Sequence, residues 1–262
     1  MTYKVYEYPL VDGSWFLFVE VNDSTQNWEK FSQDLRQSFE KGEVKGIGGA
    51  IKTKGESKVL PPWPEDLPDE VWSIENGLLF RLETRNVLNP GLFLDQKENR
   101  KRLKTILHQK NQATVLNLFS FTGAFSIVAA SCGAKATSVD LSKRYLKWER
   151  KNHEKNKTIN LAKLICSDAR RYLKRCQKKG RKFDVIIIDP PTFSRSKEGI
   201  FQVEMDLVPL CGIAMDCLQP GGFLLASTNA QDWPSFYEEI RGEPYECGHM
   251  RSVWVSETGQ NR

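Results

Sequence analysis

Four apolar runs in this chain each end on residues able to hold a small polar ligand. The first leads into Asn117-Leu118-Phe119-Ser120-Phe121-Thr122-Gly123-Ala124, the second ends at Asp140-Leu141, the third at Asp168-Ala169 and the fourth at Asp189-Pro190-Pro191. Gly123 has no Cβ, so a turn made with Phe119, Thr122 and Ala124 lets backbone N–H groups and the start of the next helix come close to a ligand. Asp140, an acceptor when ionised, can take both hydroxyls of a ribose, and it lies about 20 residues after the turn, where dinucleotide sites also keep an acid. Asp168 can accept from an adenine amino group while the N–H of Ala169 donates to the ring. Asn117 and Leu141, beside these groups, complete a candidate set that suits a nucleoside sulfonium, S-adenosylmethionine. Asp140 and Asp168 each have a second reading as helix N-caps, since both precede helical stretches.

The fourth run carries the candidate chemistry. Methyl transfer from a sulfonium is an in-line displacement, so the protein's task is to align the nucleophile with the methyl group. Asp189 and the carbonyl of Pro190 can hold a base nitrogen in that line, and Phe193 can stack on the base, a contact worth about 1–3 kcal/mol. The other reading of Asp189-Pro190-Pro191 is a rigid loop that ends a buried strand. A dehydrogenase is disfavoured, because Phe119 and Phe121 stand where a dinucleotide turn keeps its first glycines. The six cysteines (Cys132, Cys166, Cys176, Cys211, Cys217 and Cys247) and three histidines are scattered without metal-ligand spacing, so no metal site is expected.

Positioning such residues requires a parallel sheet. Strands are expected at Thr114–Leu118, Ala136–Val139, Lys163–Cys166, Phe183–Ile188 and Gly222–Ser227, with helices near 123–132, 143–155, 168–178 and 202–218. This alternation specifies an α/β, doubly wound, mostly parallel sheet, in which ligands bind beyond the carboxyl ends of the strands. Ahead of it, two strands within Tyr3–Val21, an amphipathic helix over Trp28–Lys41, a glycine- and lysine-rich stretch over Gly42–Gly55 and a proline connector at Pro61–Pro64 suggest a small α+β appendage. The expected division is residues 1–75 and 76–262, with a hairpin around Asn76-Gly77. Trp148, Trp233 and Trp254 are expected in core packing rather than base stacking.

With 262 residues, 40% of them apolar and 27% charged, the chain reads as a globular cytoplasmic protein. No stretch nears the about 18–20 apolar residues of a membrane span, and no secretory signal precedes Trp15. The net charge of +5 suits a polyanionic partner. Lys97, Arg100, Lys101, Arg102 and Lys104 cluster before the first strand of the sheet, and Arg195 and Lys197 follow the Asp-Pro-Pro segment. The run Lys178–Lys182 reads as a solvated turn.

Taken together, Gly91-Leu92-Phe93-Leu94-Asp95 with Arg100, Asn117–Gly123, Ser138–Ser142 with Tyr145 and Trp148, and Asp189-Pro190-Pro191-Thr192-Phe193-Ser194 with Lys197 resemble a known family. It is the bacterial 23S ribosomal RNA methyltransferases, which include guanine-N7 and cytosine-C5 enzymes and have a Rossmann-like fold. The resemblance implies S-adenosylmethionine as cofactor and RNA as partner. It also implies that Asp95 and Arg100 flank the cofactor's methionine end or the RNA backbone, and that Phe119, Gly123, Asp140, Asp168 and Asp189 line the transfer site. Arg100, Arg195 and Lys197 become the candidate RNA contacts. Cytosine-C5 methylation needs a thiolate that adds to the ring. No cysteine follows Pro190-Pro191 or lies in Ala226–Asn229, and Cys166 reads as core, so the likeness is to nitrogen methylation, nearest the guanine-N7 branch. Two alternatives stay open: methylation of a small molecule or protein, and a non-catalytic RNA-binding protein on the same fold.

Overall fold

The computed structural model describes residues 3–21, 28–53, 56–85, 88–229, 243–247 and 250–256. Trp233 and His249 lie outside the described residues. The chain divides into two units, Met1–Leu94 and Asp95–Arg262.

In the first unit, β1 (Tyr3–Pro9), β2 (Trp15–Val21), α1 (Trp28–Ser38), β3 (Val44–Thr53) and β4 (Glu56–Trp63) make a four-stranded sheet in the order β1-β2-β3-β4. β2 and β3 are parallel, a pairing that needs a crossover, and α1 supplies it. Trp28, Phe31 and Leu35, at helical spacing, pack on Leu17, Val19 and Ile47. The stretch 42–55, expected only as glycine-rich, is largely β3, and its glycines are what permit close packing. A Cβ on Gly46 would come 2.3 Å from Leu67, and one on Gly49 would come 2.8 Å from Trp28. Pro61 and Pro62, expected in a connector, lie in β4, an edge strand that tolerates a missing N–H.

β5 (Glu70–Glu75) and β6 (Leu78–Glu83) pair across Asn76-Gly77, whose φ angles of 50° and 81° suit a type I′ turn. This hairpin packs with the first unit. Leu10 bridges Ser73, Ser73 Oγ donates to the carbonyl of Pro9 at 2.9 Å, and the Tyr8 hydroxyl donates to the carbonyl of Leu92 at 2.9 Å. Those bonds carry the first unit through Leu94, beyond the division expected near residue 75.

The second unit holds α2 (Lys97–His108), β7 (Thr114–Leu118), α3 (Ala124–Ser131), β8 (Lys135–Asp140), α4 (Lys143–Lys155), β9 (Ala162–Cys166), α5 (Ala169–Lys178) and β10 (Phe183–Ile188). A small hairpin, β11 (Phe193–Ser196) and β12 (Gly199–Gln202), then precedes α6 (Val203–Met215), β13 (Leu218–Thr228), β14 (Glu243–Cys247) and β15 (Met250–Ser256). The main sheet runs β14-β15-β13-β10-β7-β8-β9, parallel from β13 to β9 with β15 and β14 antiparallel at one edge. Strand side chains alternate between faces. Leu116, Leu118, Ile186 and Ile188 therefore share a core with Tyr172 and Leu173 of α5 and Leu207 and Leu210 of α6. The neighbouring residues Asn117 and Ser138 meet side chains of α3 and α4 instead. Trp148 and Trp254 are buried, as expected of core residues. Among the described residues no helix is long and apolar enough to cross a membrane.

Candidate active site

β7 pairs with β8 on one side and β10 on the other, so the strand order reverses between β7 and β10. A crevice opens beyond the carboxyl ends at such a point. The turn after β7 is conformationally demanding, with φ of 59° at Phe119, 52° at Phe121 and 80° at Gly123. Left-handed backbone costs a non-glycine residue about 1–2 kcal/mol, so the turn must be held. Phe119 packs on Phe201 with ring centroids 5.1 Å apart, and Phe121 meets Tyr145 edge-on at 4.5 Å. The Phe121 N–H donates to Asp140 Oδ2 at 2.9 Å, and Asn152 Nδ2 donates to the Thr122 carbonyl at 3.0 Å. Gly123 sits at the N-cap of α3 and Ala124 begins the helix, with no side chain capping its first N–H groups. Those donors point along the side where a ligand's negative or lone-pair atoms are favoured.

Asp140 is not a helix cap: Ser142 fills that place for α4. Its carboxylate takes the N–H of Phe121 and, at 2.7 Å, the N–H of Ser142, which leaves acceptor capacity on both oxygens. Burial raises its pKa most, the two N–H groups pull it back, Glu149 pushes it further, and the net shift is upward. Leu141 beside it is exposed.

Asp168, by contrast, does cap α5, accepting the Arg171 N–H at 3.2 Å. It also takes Arg170 Nε at 3.4 Å, a second Arg170 nitrogen at 3.2 Å and Ser196 Oγ at 2.6 Å. A carboxylate offers about four acceptor positions, so all of these are taken. Burial pushes this carboxyl up, but Arg170, Ser196 and the Arg171 N–H outweigh it and hold the group below its ordinary value. Ala169 is buried at the first turn of α5. Asn117 is also committed inward, its amide donating to Ser126 Oγ at 3.0 Å.

Asp189, half-buried at the end of β10, has the opposite surroundings. Burial and the charge of Asp95 push its carboxyl up to about 7, against a hydrogen bond from Gln96 and the charge of Arg100. Arg100, expected on RNA, is 1% exposed, so its guanidinium faces the interior beside Asp189 rather than a phosphate. Its place on the inner stripe of α2, with Leu103 and Leu107, is the reason. Pro190 is buried, whereas Phe193 opens the β11–β12 hairpin with 52% of its surface exposed. Arg195 and Lys197 are exposed on that hairpin. Arg170 holds it down through the carbonyls of Gly199 at 3.2 Å and Ile200 at 3.0 Å. Cys166, expected in the core, is exposed at the end of β9, because the strand lies at the sheet edge. Among the described residues no group of three or more His, Cys, Asp or Glu could hold a metal ion.

Spacing alone passed over Gln96, Arg170, Ser196, Glu149 and Asn152. The last two carry a signal: polar residues on the inner stripe of α4, which also buries Leu146, Trp148 and His153.

The chain is similar to known proteins in sequence and fold. The S-adenosylmethionine-dependent methyltransferase family matches residues 52–244. The chain is 42% identical over 158 residues to the ribosomal RNA large subunit methyltransferase K/L of Pseudomonas fluorescens, a match covering 59% of this chain and 20% of that protein. It is 33% identical over 198 residues to the ribosomal RNA large subunit methyltransferase K of Neisseria meningitidis, covering 74% of this chain and 54% of that protein. The chain thus spans about half the length of the second relative and about a fifth of the first. Among solved structures, a protein described as an S-adenosylmethionine-dependent methyltransferase from Streptococcus mutans has a TM-score of 0.75 at 26% identity, covering 92% of this chain and 69% of that one. One described as a methyltransferase complexed with SAH reaches 0.77 at 27% identity, with the same coverage.

Proposed function

The chain belongs to the S-adenosylmethionine-dependent methyltransferase family, and from that premise we propose that it methylates a ribosomal RNA base at a nitrogen, with guanine N7 the nearest likeness. The cofactor supplies an electrophilic methyl group on a positively charged sulfur. The residues suit it: no side chain caps the start of α3 after Gly123, and Asp140 keeps acceptor capacity for a ribose. Thr122 and Ala124 complete the turn, and Leu141 covers the ribose side. The adenine amino group takes the place that Ser196 Oγ holds on Asp168, with the Ala169 N–H at the ring.

The observation that carries the RNA reading is Asp189 at the end of β10, a few residues before an exposed aromatic ring on a hairpin that also bears two free cations. Asp189, as a carboxylate, accepts an N–H of the base and fixes its plane, and the carbonyl of Pro190 adds a second acceptor. Phe193 stacks on the exposed face of the base. Arg195 and Lys197 meet the adjoining phosphates, while Arg100 and Asp95 act from the interior by setting the charge of Asp189. The relatives' names support a ribosomal RNA substrate, and such a substrate implies the cytoplasm. Nitrogen chemistry is supported by the thiols. Burial pushes Cys211 up to about 12 and Cys217 up to about 11, and both lie in the core cluster, so neither supplies a thiolate, while Cys166, which is exposed, ends β9, three strands along the sheet from the β10 end that carries Asp189.

Asp189→Ala tests the assignment. It is expected to bind S-adenosylmethionine with an affinity within about threefold of the unsubstituted protein while methyl transfer to ribosomal RNA falls by about 100-fold or more. Transfer at the original rate would refute the role given to Asp189.

A further inference from the structure

Directly behind the Phe119–Gly123 turn lies a carboxylate that takes no part in the chemistry above. Glu149 of α4 is 0% exposed. Its Oε2 accepts from Ser120 Oγ at 3.0 Å, its Oε1 accepts from Ser138 Oγ, and His153 Nε2 lies 3.6 Å away. Ser138 Oγ is 2.6 Å from Ser126 Oγ, which in turn accepts from Asn117. One polar chain therefore links β7, α3, β8 and α4 to the turn. Burying a carboxylate is costly, and an apolar residue on the same helix face would pack without that cost. Such a group is retained where its geometry does something, and the segment it grips is the turn.

We infer that Glu149 is a positioning residue for the cofactor: it fixes the shape of the Phe119–Gly123 turn from behind. Three of the five turn residues have positive φ, and three side chains tie the turn down. Asp140 holds the Phe121 N–H, Asn152 the Thr122 carbonyl and Glu149 the Ser120 hydroxyl, the last two reaching up from successive positions on one face of α4. Glu149 also fills the space beneath the apex. A Cβ on Gly123 would lie 2.3 Å from its Cγ and 2.5 Å from its Oε1. The carboxylate thereby both clamps the turn and leaves no room for a side chain at its end. This rests on the use of S-adenosylmethionine and is independent of the RNA substrate.

The test is calorimetric titration of S-adenosylmethionine, with thermal melting alongside, on the full chain and on Glu149→Ala, Glu149→Gln, Gly123→Ala and the Gly123→Ala/Glu149→Ala pair. Glu149→Ala is expected to weaken binding about tenfold, because two serine hydroxyls lose their acceptor. Glu149→Gln should recover most of that loss, since an amide offers one acceptor and one donor to the same hydroxyls. Gly123→Ala should cost more alone than beside Glu149→Ala, the non-additivity expected of groups that collide, with the left-handed backbone strain of alanine remaining in both backgrounds. If Glu149→Ala does not fold, Ser120→Ala removes the other end of the clamp and is expected to weaken binding with a smaller loss of melting temperature, because Ser138 still donates to the carboxylate. Unchanged affinity in Glu149→Ala or Ser120→Ala, or equal costs of Gly123→Ala in both backgrounds, overturns the inference.

Discussion

The carboxyl of Asp189 is pushed up to about 7 by burial and by Asp95, so the folded chain favours its neutral form, yet its proposed task as acceptor needs the charged one. That conflict has a measurable sign. A carboxyl raised on folding stabilises the protein fully below its unfolded value of 3.8, and the contribution is lost as pH rises through about 7. Asp189→Asn cannot ionise, so its melting temperature should gain on that of the unsubstituted protein between about pH 4 and about pH 7, even as methyl transfer is lost. A constant difference across that range would mean that Asp189 is not electrostatically strained. Asp140, Asp168 and Asp189 were all legible as residues, because each closes an apolar run. What was not legible is how each carboxylate is spent. Asp168 has its acceptor positions filled by Arg170, Arg171 and Ser196, and Arg100 turns inward, because these are decided by rotamers and by partners distant in sequence.

At the scale of elements, the hairpin of β11 and β12 joins the proposed adenine acceptor Asp168 to the proposed stacking ring Phe193. Ser196 holds it to Asp168, and Asp168 is the proposed acceptor for the adenine amino group. If the adenine displaces Ser196, removing that competitor should help the cofactor. Ser196→Ala is expected to bind S-adenosylmethionine about two- to fivefold more tightly in calorimetry. Weaker binding would show that the adenine does not reach Asp168. β7 and β10 lie at Thr114–Leu118 and Phe183–Ile188, as their largely apolar runs predict, since strands buried on both faces leave that pattern. β11 and β12 had no such signal: Phe193–Ser196 and Gly199–Gln202 are short and mostly exposed. β3 was hidden for another reason, as Gly46, Gly48 and Gly49 mark only a glycine- and lysine-rich stretch until Leu67, Phe16 and Trp28 fill the space above them.

Over the whole molecule the charge is +5, yet the strand ends of the second unit gather Asp140, Asp168 and Asp189. A local acid edge suits a sulfonium, whereas the cationic remainder suits a polyanion at long range. Arg195 and Lys197 are exposed on the hairpin, and Lys135, Lys163, Arg181 and Lys182 line a groove at the opposite ends of the strands. In the proposed account, charge of this kind draws RNA to the molecule without choosing the base, and the choice is left to Asp189, Pro190 and Phe193. The most direct measurement is therefore mass spectrometry of nucleosides from unmodified ribosomal RNA incubated with the protein and isotope-labelled S-adenosylmethionine. The account predicts a labelled methyl group on a base nitrogen, absent when Asp189→Ala replaces the unsubstituted protein. Label on a ring carbon, on ribose, or nowhere in the RNA would contradict it.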